Sequence, residues 1–302
     1  GVDFVLAVGG GSVIDTAKAV AEGVPYDGDV WDFFCGKAKI EKMLPVVTVL
    51  TIPAAGSESS DSNVITNEET HEKNGSASPM MRPVFSILNP ELTYTLPPYQ
   101  TACGCMDIMA HVMERYFTNE PHVELTDRLC TAILRTVLNN LPVVMRQPDD
   151  YDARAQIMWA GTIGQNGLVG TGREEDWANH VIEHQLSGFY DIAHGAGLSI
   201  TFPAWMRYVA QSNPGKLFQF STEVLGVEGD HYNPEHTVRE GIDRFERVLR
   251  DSGLPTHLSE AGIGDERFEE MALRCTGGGV RTIGAYVPLG KSDIVNILRL
   301  AL

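Results

Sequence analysis

Asp107 and His111 stand four residues apart, His180 and His184 repeat that spacing, and His194 follows fourteen residues after His180. In the stretch Met106-Asp107-Ile108-Met109-Ala110-His111 the spacing puts a carboxylate and an imidazole on one helix face, where both reach one cation. The second segment, Asn179-His180-Val181-Ile182-Glu183-His184, runs into the turn-forming Gly188-Phe189-Tyr190-Asp191-Ile192-Ala193, which delivers His194 followed by Gly195. Asp107, His111, His180 and His194 together offer one oxygen and three neutral imidazole nitrogens. That set suits a borderline divalent metal, Fe(II) or Zn(II), and not the all-oxygen shell of Ca(II) or Mg(II).

A single histidine on a helix is more often a solvated or hydrogen-bonded residue than a ligand; the paired spacing is what sets these four apart. His71 in a polar run, His122 after Pro121, and His231, His236 and His257 in charged or Pro-flanked contexts read as solvated. Cys103 and Cys105, two apart on the same helix, face different sides and read as small buried packing residues, not ligands.

The elements that must position this chemistry fall into two textures. Val2 to Val8 reads as a buried strand, Gly9-Gly10-Gly11-Ser12 as a tight turn, and Val13 to Ala21 as a helix capped by Ser12. Such a turn leaves backbone N–H groups at the positive end of a helix, open to a phosphate because glycine has no Cβ. A strand from Leu44 to Thr51 runs into Pro53-Ala54-Ala55-Gly56-Ser57-Glu58-Ser59-Ser60, small and hydroxylated residues able to line a cofactor. Asn63 to Thr66 and Val84 to Leu88 read as short strands, with polar hairpin-like material from Glu68 to Ser78 between them.

From Pro97 onward the periodicity is helical: Thr101 to Phe117, Val123 to Leu141, Tyr151 to Gly167, Asp176 to Leu186, His194 to Val209, Asn213 to Val224, Pro234 to Asp251, Asp265 to Arg274 and Ser292 to Leu300. The expected fold is an α/β region over 1–97 and an all-helical, metal-carrying domain over 98–302.

The 302 residues, 43% apolar, suffice for two cores. A formal charge of −17, from 23 Lys and Arg against 40 Asp and Glu, with no basic stripe, argues against nucleic acid or an anionic membrane surface as partner. No run of roughly eighteen apolar residues is present to span a bilayer, and the first residues lack a basic then apolar leader pattern. With five scattered cysteines read as reduced thiols, the expected compartment is the cytoplasm.

Taken in order, Gly9-Gly10-Gly11-Ser12-Val13-Ile14-Asp15-Thr16-Ala17-Lys18, Gly56-Ser57-Glu58, Leu96-Pro97-Pro98, Asp107-xxx-His111 and His180-xxx-His184 with His194-Gly195 resemble the iron-containing, or group III, alcohol dehydrogenases. Trp31-Asp32-Phe33-Phe34, Asp176-Trp177-Ala178 and Gly253-Leu254-Pro255-Thr256-His257-Leu258 resemble its butanol dehydrogenase and broad-specificity aldehyde reductase branch. The resemblance implies a dehydroquinate synthase-like arrangement: a Rossmann-like nucleotide-binding domain, here truncated, and an all-α metal-binding domain. It implies metal ligation by Asp107, His111, His180 and His194, with His184 unligated beside the nicotinamide and free to hydrogen-bond or relay a proton. It also implies NAD or NADP contacts from Gly10, Gly11, Ser12, Asp15, Thr51 and Lys73, a small alcohol or aldehyde as substrate, and a homodimer.

Two departures stand out: Ala55 where the family often has threonine, and Ser60 where some members have asparagine. In the family the first strands of the nucleotide-binding sheet precede the glycine turn, so the residue selecting NAD over NADP is expected outside this chain, and an exposed sheet edge and weak cofactor binding by this span alone are expected with it. The other readings are a glycerol-type polyol dehydrogenase, a metal-dependent hydrolase in which His184 or Glu183 activates water, and a non-enzymatic metal-binding remnant. The hydrolase reading leaves the glycine turn without a role.

Overall fold

The structure is a computed structural model and describes residues 1–302. Three strands, β1 (Val5–Gly9), β2 (Val46–Leu50) and the last strand (Phe85–Leu88), form a parallel sheet in the order first, second, last, with Ala7 opposite Thr48 and Thr48 opposite Ser86. Parallel neighbours need a crossover, and α1 (Gly11–Gly23) supplies the first. Ile14, Ala17, Lys18 and Ala21 recur at helical spacing on its buried face. Ile14, Ala17 and Ala21 pack on Ala7, Val46 and Leu50 in a small apolar cluster.

Only that face of the sheet is covered. Leu6, Val8, Phe85 and Ile87 are each about half exposed on the other side, so the expectation of a wholly buried first strand is corrected to an alternating one. A parallel strand hides both faces only when helices cover both. Ser12 is corrected too: the cap position is Gly10, no side chain caps the helix, and Ser12 lies inside its first turn.

The polar segment folds as a hairpin of β3 (Ser62–Asn67) and β4 (Glu72–Ala77), antiparallel with Thr66 opposite Lys73, and β5 (Phe85–Leu88) is the last sheet strand. A short α2 (Trp31–Phe34) precedes β2.

Helices follow: α3 (Pro98–Tyr116), α4 (Glu124–Arg146), α5 (Tyr151–Gln165), α6 (Ala178–Tyr190), α7 (His194–Val209), α8 (Gly215–Gln219), α9 (Pro234–Asp251), α10 (Phe268–Cys275) and α11 (Lys291–Leu300). Helix α3 is buried on every side from Thr101 to Tyr116, which makes it the axis of a 54-residue apolar core. Helix α4 continues past the expected end at Leu141, with Pro142 inside it; the proline forfeits a backbone hydrogen bond and crowds the carbonyl one turn back, and the burial of Leu141 and Val144 on the inner face offsets that cost. The expected helix over 213–224 is α8 continued by one π-helical turn, Phe220–Val224. Met158 of α5 is the helical region's contribution to the sheet-side cluster.

Candidate metal centre

Asp107, His111 and Glu114 recur along one face of α3, and His180, Glu183 and His184 along α6, while His194 opens α7. The turn between α6 and α7 reverses through Asp191, whose φ is +51°. A Cβ on Gly195 would clash with the Cys103 carbonyl oxygen, so glycine after His194 is what lets α7 meet the α3 backbone.

The ligating atoms of Asp107, His180 and His194 lie within 4.8 Å of one another, with Asp107 Oδ1 3.6 Å from His194 Nε2 and 3.9 Å from His180 Nε2. A tetrahedral shell with bonds of about 2.1 Å puts its ligand atoms about 3.4 Å apart, so the trio is near closure around a cation. His111 sits beside the trio, its ring centroid 4.6 Å from that of His180 and its Nδ1 3.2 Å from Asp107 Oδ1.

Each histidine is held through Nδ1. His111 Nδ1 donates to the Asp107 carbonyl at 2.9 Å, His180 Nδ1 to Glu114 Oε1 at 2.8 Å, and His194 Nδ1 to Glu183 Oε2. That fixes the tautomer and leaves Nε2 as the free lone pair on each ring. Asp107 Oδ1 and His180 Nε2 are buried with no hydrogen-bond partner. Buried polar atoms are normally paired, and a cation bound between these two would satisfy both.

The electrostatics agree. Burial penalises the Asp107 carboxylate, yet His111 and His194 hold it well below the usual carboxylate range. Burial pushes the His111 imidazole down to about 3 and keeps it neutral. Burial also opposes charge on His180, but Asp107 and Glu114 outweigh it and hold this imidazole up to about 9, a proton where a divalent cation would serve the same carboxylates. Burial pushes the thiols of Cys103 and Cys105 up to about 11 and about 12, so both stay protonated and serve as packing residues.

A second trio, Glu183, His184 and His194, shares His194. Lys73 Nζ lies 3.6 Å from Glu183 Oε2 and 3.3 Å from His194 Nδ1, and an ammonium there repels a second cation. His184 belongs beside the centre, its ring centroid 5.8 Å from His194; burial, with the Lys73 charge next, holds it neutral well below the ordinary histidine range.

One cavity of about 1160 Å³ joins this centre to the glycine turn. Gly10, Gly11, Ser12, Asp15 and Lys73 line it, as do Asp107, His111, His180, His184 and His194. Thr51 does not: its N–H donates to Gly9 O at 3.0 Å, and Ile52 takes the lining position. Asp15 is buried and accepts from Ser57 Oγ and, at 3.0 Å, from Val64 N–H, so it ties α1 to the loop after β2 and to β3 along the cavity. Both Ala55 and Ser60 line the cavity, and the Ser60 hydroxyl accepts from Lys18 Nζ at 3.1 Å.

Sequence reasoning missed three contributors. Glu114 is signalled by falling one helical turn beyond His111, on the face already occupied by Asp107. Glu183, in the sequence a candidate base for water, orients His194. Trp177, with φ +62° at the start of α6, adopts a left-handed conformation that costs a bulky residue on the order of 1–3 kcal/mol.

Comparison with known proteins matches residues 1–90 to the iron-containing alcohol dehydrogenase family and residues 101–302 to the C-terminal part of the Fe-containing alcohol dehydrogenase family. A probable NADH-dependent butanol dehydrogenase of Bacillus subtilis is 42% identical over 301 residues, covering 100% of this chain and 77% of the relative. The NADPH-dependent aldehyde reductase YqhD of Escherichia coli is 35% identical over 287 residues, 94% of this chain and 73% of the relative. The crystal structure of an NADH-dependent butanol dehydrogenase from Thermotoga maritima superposes with a TM-score of 0.93 at 41% identity, covering 99% of this chain and 76% of that one.

Proposed function

The chain belongs to the iron-containing alcohol dehydrogenase family, and on that premise we propose that Asp107, His111, His180 and His194 hold its divalent metal while Gly10, Gly11, Ser12, Asp15 and Lys73 meet its dinucleotide. The protein is an NAD(P)(H)-dependent alcohol dehydrogenase or aldehyde reductase. The observation that carries the site assignment is the set of three imidazoles tied at Nδ1 around Asp107, whose buried Oδ1, like the buried Nε2 of His180, has no partner.

When bound, the metal supplies a Lewis acid for the substrate oxygen and the nicotinamide supplies or accepts the hydride. The protein's own residues do the rest. Glu114 and Glu183 hold two imidazoles in one tautomer, so their Nε2 lone pairs stay aimed at one point. The free backbone N–H groups at the start of α1 face the cavity and favour the dinucleotide's phosphates. Lys73 adds positive charge beside Glu183 at the junction of the two regions. His184, neutral and part-buried, keeps one donating and one accepting ring nitrogen for passing the substrate hydroxyl proton. Thr51, which the resemblance puts at the cofactor, lies outside the cavity and holds the β2 end against Gly9 instead.

The donor set suits Fe(II) or Zn(II) alike. A division into a cofactor domain over 1–97 and a metal domain over 98–302 belongs to the same proposal; two separate apolar clusters, bridged at Met158, support it. A homodimer in the cytoplasm completes it, to be checked by sedimentation and by cell fractionation; no helix here is long and apolar enough to cross a membrane. The hydrolase and polyol readings are not favoured beside butanol dehydrogenase and aldehyde reductase relatives.

The test is reduction of butanal followed by loss of NADH or NADPH absorbance. Activity should vanish on chelation and return with Fe(II) or Zn(II). Activity indifferent to chelation in a metal-stripped sample would contradict the reading.

A further inference from the structure

Trp177 is the one aromatic residue other than histidine that lines the cavity. Its ring centroid lies 5.0 Å from that of His180 and 5.9 Å from that of His111, with both rings edge-on to it. Three constraints fix it there. The indole N–H donates to Glu175 Oε2 at 2.6 Å, and the Arg115 guanidinium carbon sits 4.8 Å over its ring. Arg115 is itself anchored by Glu175 Oε1 at 3.0 Å and the His111 carbonyl at 2.8 Å. The backbone is pinned as well: buried Asp176 accepts from Tyr286 N–H at 2.7 Å and Ala178 N–H at 3.3 Å, holding the left-handed turn in place.

A large apolar ring held this firmly beside two ligating histidines does nothing for hydride or proton transfer, because it carries no titratable group. What it does is occupy space on the metal side of the cavity. Resting on the reading above, we propose that Trp177 sets the size of the substrate's carbon chain. A short unbranched chain packs against the indole, and a long or cyclic one meets it. Rigidity is what makes the limit sharp, since a mobile side chain would move aside at little cost.

The test uses the metal-loaded enzyme as wild type, Trp177→Phe and Trp177→Ala. Acetaldehyde, butanal, hexanal and cyclohexanecarbaldehyde are compared by kcat/KM, with metal per chain measured on the same samples. Trp177→Ala should raise the ratio of hexanal or cyclohexanecarbaldehyde to acetaldehyde about tenfold or more, the scale on which pocket shape discriminates between chain lengths, with Trp177→Phe between it and wild type. A readout independent of turnover is the emission of wild type minus that of Trp177→Phe, which cancels Trp31, Trp159 and Trp205 and should shift saturably as hexanol is added. An unchanged substrate ratio in variants that keep their metal would overturn the proposal. So would loss of metal from Trp177→Phe, which would make the ring a prop for the histidines instead. Absence of aldehyde reduction in wild type would sink the dehydrogenase reading, and the emission shift would then still decide whether Trp177 borders a bound carbon chain.

Discussion

At the scale of single residues, the site divides into side chains that offer a lone pair and side chains that aim it. His111→Ala should lose bound metal and activity together, whereas His184→Ala should keep its metal and lose turnover; metal quantification on both variants checks this, and metal loss from the second would place His184 in the shell. Glu114→Gln tests the aiming. It keeps the shape of the side chain but replaces the carboxylate that His180 Nδ1 donates to at 2.8 Å, so metal affinity should fall about 10- to 100-fold in a chelator-competition titration. Unchanged affinity would mean that the buried Glu114 serves packing alone.

At the scale of elements, the centre exists because α3, α6 and α7 approach closely. Gly195→Ala would push a Cβ against the Cys103 carbonyl and should cost about 1–3 kcal/mol in urea unfolding. Gly215→Ala, with open space around it, should cost little. Helix α1 is tied to the loop before β3 by Lys18, whose Nζ donates to Ser60 O, Ser60 Oγ and Ser62 O. Burial pushes this ammonium down to about 8 from its ordinary 10.5, against the pull of Asp15, Glu58 and Asp61. Between those two values the unfolded chain binds more protons than the folded one, so the Lys18 contribution to stability rises with pH. Wild type minus Lys18→Met, unfolded in urea near pH 8 and again near pH 10, should show that rise. Much of this level was legible in advance: α9 falls where apolar periodicity put it, because amphipathic spacing reports a buried face directly, and α7 also spans its expected residues although it is buried on every side from Gly195 to Met206. The cap of α1 was not, since glycine lacks the side-chain signal by which caps are recognised. That Asp107 and His111 share one helix face was legible from their spacing, and that a turn delivers His194 from its flanking residues, while their role as ligands is the proposal the metal measurements test; Trp177 was not legible, because nothing local marks a left-handed tryptophan that distant Arg115 and Tyr286 hold in place.

At the scale of the whole molecule, a metal held at the proposed centre would link the helical core to the cavity shared with the sheet, and its binding free energy would add to the stability of the folded state. With free metal at about a hundred times its dissociation constant the gain is about 2.7 kcal/mol. Chelation should therefore lower the Tm of wild type and leave that of His111→Ala unmoved, as calorimetry would read. The most direct test of the central claim is an anomalous-difference map collected at the absorption edge of the bound metal. The account predicts one peak bonded at about 2.0–2.2 Å to Asp107 Oδ1 and to Nε2 of His111, His180 and His194. A peak among Glu183, His184 and His194 instead, or none in crystals of protein shown to contain metal, would contradict it.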